Sequence, residues 1–156
     1  MNSPYPIAPG GGGGASSSAY MMVYLNNSNI TCPTGVQTPI IFDTILAQSG
    51  GFVLDGSGNI ITPVSLGTSR WQVDASIYPG LMSSGTGTMM LCQNGSSILN
   101  AVASQASFNS VMELSGLIYL YGGDALSVQF LQTTGSNNNV SHSPLYTYLH
   151  MYRIIQ

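Results

Sequence analysis

The run LYTYLHMYRIIQ at residues 145–156 constrains the fold more than any other part of the sequence. Its residues alternate at the period of two that a β-strand requires, and both alternating sets are mostly apolar or aromatic. One set comprises Tyr146, Tyr148, His150, Tyr152 and Ile154. Because an antiparallel sheet normally leaves one face to water, a strand that is apolar on both faces needs a second cover. We expect another copy of the chain to supply it.

Short β-like runs separated by turn residues fill the chain before this closing run. Arg70–Tyr78 alternates apolar and polar residues, and Asn94-Gly95 is a strong hairpin signal between two further runs. Val36–Ala47 is interpreted as one strand, with Pro39 at an edge or a break. No segment shows a persuasive helical period. The sequence therefore predicts roughly nine or ten strands in an all-β antiparallel sandwich.

The chain divides into residues 1–19, an extended arm rich in Pro, Gly and Ser, and residues 20–156, a single β-domain. Prolines give the arm an extended start, and Gly10–Gly14 gives it a flexible tether. We expect the arm to attach the domain to a sister subunit or to a larger lattice; a disordered leader is the alternative. The residues predicted to make this attachment are Pro4, Tyr5, Pro6, Ile7 and Pro9.

Charge is almost absent from the sequence. Charged residues make up 4% of the chain, which has no lysine and only Arg70 and Arg153 as fixed cations. Phosphate backbones and anionic membrane surfaces are bound mainly through arginine and lysine. We therefore expect no nucleic-acid partner and no membrane partner.

Residues that carry chemistry are few and scattered. The two histidines, His142 and His150, have no cysteine or carboxylate at metal-ligand spacing, and no serine is paired with a base. Cys32 and Cys92 belong to no metal or redox motif, which favours buried free thiols over a disulfide. Asp55–Asn59 fits a turn better than a calcium loop. The sequence predicts neither enzymatic activity nor a metal or cofactor.

Four segments carry a resemblance to a known family. They are IIFDTIL (Ile40–Leu46), GNIITP (Gly58–Pro63) followed by Gly67, RWQVDASIY (Arg70–Tyr78) and LYGGDALSVQF (Leu120–Phe130). In order and spacing they resemble the jelly roll shared by tumour necrosis factor and the complement globular head. The resemblance implies a homotrimer around a three-fold axis, with aromatic residues of the inner sheet packed against their symmetry mates. The residues assigned to that seam are Tyr119, Tyr121, Tyr146, Tyr148 and Tyr152.

These observations favour a structural virion protein, a trimeric decoration or cement knob that attaches to a phage capsid. Its partner is the major capsid protein or another virion protein, and its location is the virion surface. The N-terminal residues lack the basic start and apolar run of a signal peptide, so we expect synthesis in the host cytoplasm. One alternative is the receptor- or carbohydrate-binding head of a viral fibre, with the polar loops at residues 94–97 and 136–144 as its tip. Another is a spore-surface or secreted binding module.

Overall fold

The chain is an all-β structure over the residues that the computed structural model describes, which are 19–80, 84–104 and 111–155. Within these ranges it forms thirteen strands and a short 3₁₀ turn at Val64–Leu66. In chain order the strands are β1 (Tyr20–Tyr24), β2 (Ile30–Cys32), β3 (Thr38–Ile40), β4 (Thr44–Ser49), β5 (Val53–Leu54), β6 (Ile60–Ile61), β7 (Ser69–Ile77), β8 (Thr86–Gln93), β9 (Ser96–Ser104), β10 (Met112–Leu120), β11 (Ala125–Gln132), β12 (Asn138–Val140) and β13 (Tyr148–Ile154). The predicted antiparallel sandwich is confirmed.

Two sheets form the sandwich. The first has five strands in the order β10-β7-β13-β1-β4, and every neighbouring pair in it is antiparallel. The second has the order β5-β6-β11-β8-β9, with β3 also paired to β11. A small ladder of β2 and β12 lies outside both. The strand that closes the chain, β13, is thus central in the first sheet.

The core lies between the two sheets because each contributes one alternating set of apolar side chains. On β7, Trp71 and Val73 are almost fully buried, whereas Gln72 and Asp74 between them are only half-buried. On the facing sheet, the apolar side chains of β11 at positions 126, 128 and 130 are fully buried. The ring of Phe52 packs edge-on against Trp71, with 5.4 Å between ring centroids. The alternation predicted for Arg70–Tyr78 is confirmed in β7.

The segment Val36–Ala47 is not one strand, so that prediction was wrong. β3 pairs with β11 in the second sheet, whereas β4 pairs with β1 in the first sheet. The chain crosses between sheets at the intervening residues, where Phe42 is buried in the core and the Asp43 carboxylate accepts bonds from the N–H groups of Asn26 and Asn27, both at 2.9 Å. These contacts fix a corner that the apolar pattern alone does not reveal.

The predicted turns lie where the sequence placed them. Asn94 and Gly95 both have positive φ, as a two-residue hairpin loop requires, and they join β8 to β9. The Asp55 carboxylate accepts bonds at 2.8 Å from the N–H groups of Ser57 and Asn59, which closes the hairpin between β5 and β6.

Residues 1–18, which include the predicted attachment residues, lie outside the described residues. The first described residue, Ala19, is fully buried, and its carbonyl accepts a bond from the N–H of Arg153 at 2.9 Å. The predicted arm therefore joins the domain beside the end of β13. In the described parts of the chain, no helix is long and apolar enough to cross a membrane.

Candidate functional site

The outward face of the five-stranded sheet carries an aromatic strip. On β13 the side chains of Leu149 and Met151 enter the core, which turns those of Tyr148, His150 and Tyr152 outward. β1 has the same pattern, with its core positions at 21 and 23 and its outward positions at 20, 22 and 24. In the antiparallel register the outward residues face one another as the pairs Tyr20–Tyr152, Met22–His150 and Tyr24–Tyr148. Six large side chains thus form one continuous surface, which we name the aromatic strip.

A polar strip lies beside the aromatic one, on β7 and β10. The Ser115 hydroxyl donates a bond to the Asp74 carboxylate at 2.6 Å, and the Gln72 amide donates to the same carboxylate oxygen at 3.0 Å. The Gln72 amide also donates to the Ser115 hydroxyl at 2.7 Å. Each of these three groups therefore already has a hydrogen-bond partner within the strip.

His150 joins the two strips. Its ring stacks on Tyr148 with 4.4 Å between centroids, and its Cα faces that of Asp74 on β7. Burial lowers the pKa of His150, and the nearby Asp74 charge opposes that effect only in part. Burial also raises the pKa of Tyr148, and the charges of Glu113 and Asp74 raise it further. The middle of the face therefore favours a neutral imidazole and a neutral phenol.

The five tyrosines assigned to a seam do not all lie together. Tyr148 and Tyr152 belong to the aromatic strip, and Tyr119 is outward-facing on β10, at the far edge of the polar strip. Tyr146 lies in the turn before β13, 5.8 Å from the ring of Tyr78. Tyr121 follows the end of β10, where its N–H donates to Asp124 at 2.7 Å. Three of the five thus share the outward face, and the other two flank its opposite ends.

Four further residues of this face were missed at the level of sequence. Three are outward positions of β1 that complete the aromatic strip, and the fourth is the exposed Leu117 on β10. The sequence of Ala19–Leu25 (AYMMVYL) could have indicated this face, because Tyr20 and Tyr24 are an even number of residues apart and so lie on one side of a strand. The missed residues are Tyr20, Met22, Tyr24 and Leu117.

The two polar loops proposed as one recognition tip lie at opposite ends of the sandwich. Asn94 donates its N–H to Ala125 at the start of β11, whereas residues 136–144 follow the end of that strand. A strand of that length separates them by about 25 Å. The 136–144 loop is held by bonds from Thr31 to Asn139 at 3.0 Å and from the N–H of His142 to Asn29 at 2.8 Å. The loops therefore do not form a single binding surface within one chain.

The remaining side chains of reactive or metal-binding type have structural positions. Cys32 and Cys92 are free and buried, as predicted, and burial raises the pKa of both thiols. Asp124 follows Gly123, which has a φ of 93°, in the turn between β10 and β11. Among the residues that the structure describes, no group of three His, Cys, Asp or Glu side chains is placed to hold a metal ion.

Solved structures with the same arrangement of strands identify the fold. The structure of Eiger TNF from S. frugiperda matches with a TM-score of 0.71 at 13% identity, over 89% of this chain and 94% of that one. The crystal structure of murine APRIL at pH 5.0 matches with a TM-score of 0.69 at 15% identity, over 88% of this chain and all of that one. The chain has a TNF-like jelly-roll fold. No family model and no curated protein sequence matches it. The fold that the sequence pattern suggested is thus confirmed.

Proposed function

We propose that this chain is a non-enzymatic head domain that assembles as a homotrimer and decorates a virus particle as a structural protein. The proposal of a trimer rests on the composition of the outward face of the five-stranded sheet. This face holds the six large side chains of the aromatic strip, next to a polar strip whose groups already bond to one another. A face of this composition has the aromatic core and satisfied polar rim of a protein interface.

Burial of this face supplies the driving force for assembly. Leu117, Tyr119 and Tyr152 are 50%, 63% and 47% exposed in the single chain. Apolar area removed from water stabilises by about 25 cal/mol per Å², and aromatic side chains contribute most of it at interfaces. The resemblance to tumour necrosis factor implies three copies, and the likeness of the fold to Eiger TNF and APRIL supports the same number.

Two features favour attachment to a particle as the role of the trimer. The chain carries little charge for long-range steering of a soluble partner, which suits fixed neighbours in a lattice. The predicted arm enters the domain at Ala19, at one end of the sandwich, so three arms of a trimer leave together. Weak contacts by each arm to the major capsid protein then add up through valency.

A binding head for a host receptor or glycan is the second candidate. The polar loop at residues 136–144 favours it, because it lies at the end of the sandwich opposite Ala19. Hydroxyl and amide groups such as those of Thr31, Asn139 and Asn29 are suited to sugar recognition, and they are already held in place. Loss of host or glycan binding on replacement of residues 136–143 would favour this candidate.

Light scattering on the chain with and without residues 1–18 tests the principal proposal. We expect three times the mass of one chain for the full protein, and an unchanged oligomer after deletion of the arm. The deleted protein should then fail to bind capsids that the full protein binds. A single-chain mass would overturn the trimer, and undiminished capsid binding without the arm would overturn the attachment mechanism.

A further inference from the structure

Both fixed cations of the chain line one cleft. Arg70 and Arg153 are the only arginine or lysine residues in the sequence, and they lie on the neighbouring strands β7 and β13. Together with Tyr119 and Ile154 they surround an open cleft of about 220 Å³. Thr68 and Ser69 complete its lining. The two arginines of a chain with so few charged residues thus lie at one cleft, although like charges repel.

The register of the sheet brings these side chains together. Arg70 lies between Ile154 and Tyr119, because β7 pairs with β13 on one side and with β10 on the other. Arg153 is opposite Trp71, so its side chain leaves the other face of the sheet. It lines the same cleft because the cleft lies where β13 ends and β7 begins. The cleft therefore lies at the end of the sandwich where Ala19 enters, and at the margin of the face proposed to meet other copies, because Arg70 and Tyr119 belong to that face.

No carboxylate of the described residues neutralises either cation. Neither guanidinium group forms an ion pair or a side-chain hydrogen bond within the described part of the chain. The nearest acid along β7 is Asp74, whose carboxylate is occupied by Gln72 and Ser115 and lies four residues away, a separation of about 13 Å between Cα atoms. Two like charges thus converge on one cleft, and arginine does not shed its charge by deprotonation.

The wall of the cleft is already held in place. The Ser69 hydroxyl donates to the carbonyl of Leu66 at 2.9 Å, which ties the start of β7 to the turn before it. Ser69 is buried, whereas both arginine side chains are half-buried. A partly desolvated site of this kind strengthens charge-assisted bonds to an anion and costs little reorganisation on binding.

We infer that this cleft binds a small oxyanion, a carboxylate, sulfate or phosphate group. Each guanidinium presents a planar fork of N–H donors that matches two oxygens of such a group. Tyr119 and Thr68 bring hydroxyl-bearing side chains to the lining, and Ile154 supplies an apolar wall. The oxyanion has two chemical sources, a free anion in solution or the acid group of a sugar.

Titration of the full-length protein by calorimetry tests the site, with sodium sulfate, phosphate, acetate and glucuronate as probes at constant ionic strength set with chloride. We expect saturable binding with a Kd on the order of millimolar for at least one probe. Equal affinity for acetate and glucuronate assigns the site to the free anion. An affinity for glucuronate about 10-fold higher assigns it to a sugar acid. Absence of saturable binding by every probe would overturn the inference.

Variants locate the binding. Arg70→Gln and Arg153→Gln should each weaken binding by about 10-fold or more, because each removes one charge-assisted fork. Tyr119→Phe removes a hydroxyl without changing charge, and so reports on the cleft even if an arginine variant folds poorly. Thermal unfolding and light scattering on the same samples separate loss of the site from loss of fold or of oligomer.

The matched control keeps the net charge. Arg70→Gln combined with Glu113→Gln restores the formal net charge of −3 while the cleft still lacks one cation. Because Glu113 is exposed and several residues along β10 from Tyr119, we expect this double variant to bind as weakly as Arg70→Gln alone. Recovery of wild-type affinity in the double variant would show a general charge effect and would overturn the site.

Discussion

His150 faces Asp74 across the β13–β7 pair, and its ring stacks on that of Tyr148 with 4.4 Å between centroids. The titratable ring of His150 thus lies in the middle of the surface that is proposed to contact two other copies of the chain. Burial is the main influence on that ring, and it favours the neutral form. Acid is therefore expected to act on the fold and on the assembly through this residue.

The free energy of unfolding should fall as the pH is lowered through the ordinary histidine pKa of 6.5. The pKa of His150 lies below that value in the folded chain, so the unfolded chain binds more protons in this window and stability rises with pH. Urea unfolding at a series of pH values between about 7.5 and 5 measures the slope. His150→Gln should flatten it. An equal slope in wild type and His150→Gln would contradict the assignment.

Tyr152→Glu should convert the proposed trimer into single chains. Tyr152 pairs with Tyr20 at one end of the aromatic strip, and a carboxylate there would be buried in the interface without a partner. Light scattering measures the mass. Val53→Glu is the matched control, because Val53 is 57% exposed on the other sheet and its variant should keep the wild-type mass. The same change of mass in both variants would argue against this face as the interface.

Gly58→Ala should destabilise the fold by about 2–4 kcal/mol. Gly58 has a φ of 78°, and a Cβ there would lie 2.6 Å from the Cα of Ile41 and 2.9 Å from the N of Phe42. Both contacts are with backbone, which cannot rotate away. Gly56→Ala in the same hairpin is the control, because nothing lies within 4 Å of its added Cβ. Denaturant unfolding compares the two variants, and equal stabilities would contradict the close approach.

Asp124→Ala should cost about 2–3 kcal/mol of stability. The Asp124 carboxylate accepts bonds from the Tyr121 N–H at 2.7 Å and from the Gln93 and Asn94 amides at 2.6 and 2.7 Å. Burial on its own would raise the pKa of this carboxyl, but these bonds outweigh it and hold the pKa below the usual value. Stability from Asp124 is therefore present at neutral pH and is lost only in strong acid. Glu113→Ala, at an exposed carboxylate, should change little in the same unfolding assay.

Cys32 and Cys92 should resist a thiol reagent in the folded protein. Both side chains are fully buried, and burial raises the pKa of each thiol, so little thiolate is present at neutral pH. A colorimetric thiol titration should count two reactive groups in denaturant and react many-fold more slowly without it. Rapid reaction of either thiol in the folded state would contradict its burial.

The strands in which apolar and polar residues alternate were predictable from the sequence. The cleft formed by residues of different strands was not. In β7 the contrast between Trp71 and Gln72 gives the face of each residue directly, because one side is apolar and the other polar. In Val36–Ala47 both β3 and β4 are partly apolar, so the apolar pattern does not show that they belong to different sheets. Only the corner residues Ile41, Phe42 and Asp43 separate them. The meeting of Arg70 and Arg153 depends wholly on register between distant strands, for which no local pattern exists.

The pairing of β1 with β13 has a consequence during synthesis of the chain. Tyr20 on β1 pairs with Tyr152 on β13, so the middle of the first sheet cannot form until β13 has left the ribosome. Contacts so distant in sequence slow folding, and the waiting strands β7 and β10 expose their apolar sides meanwhile. Chains that lack β13 are therefore expected to be insoluble.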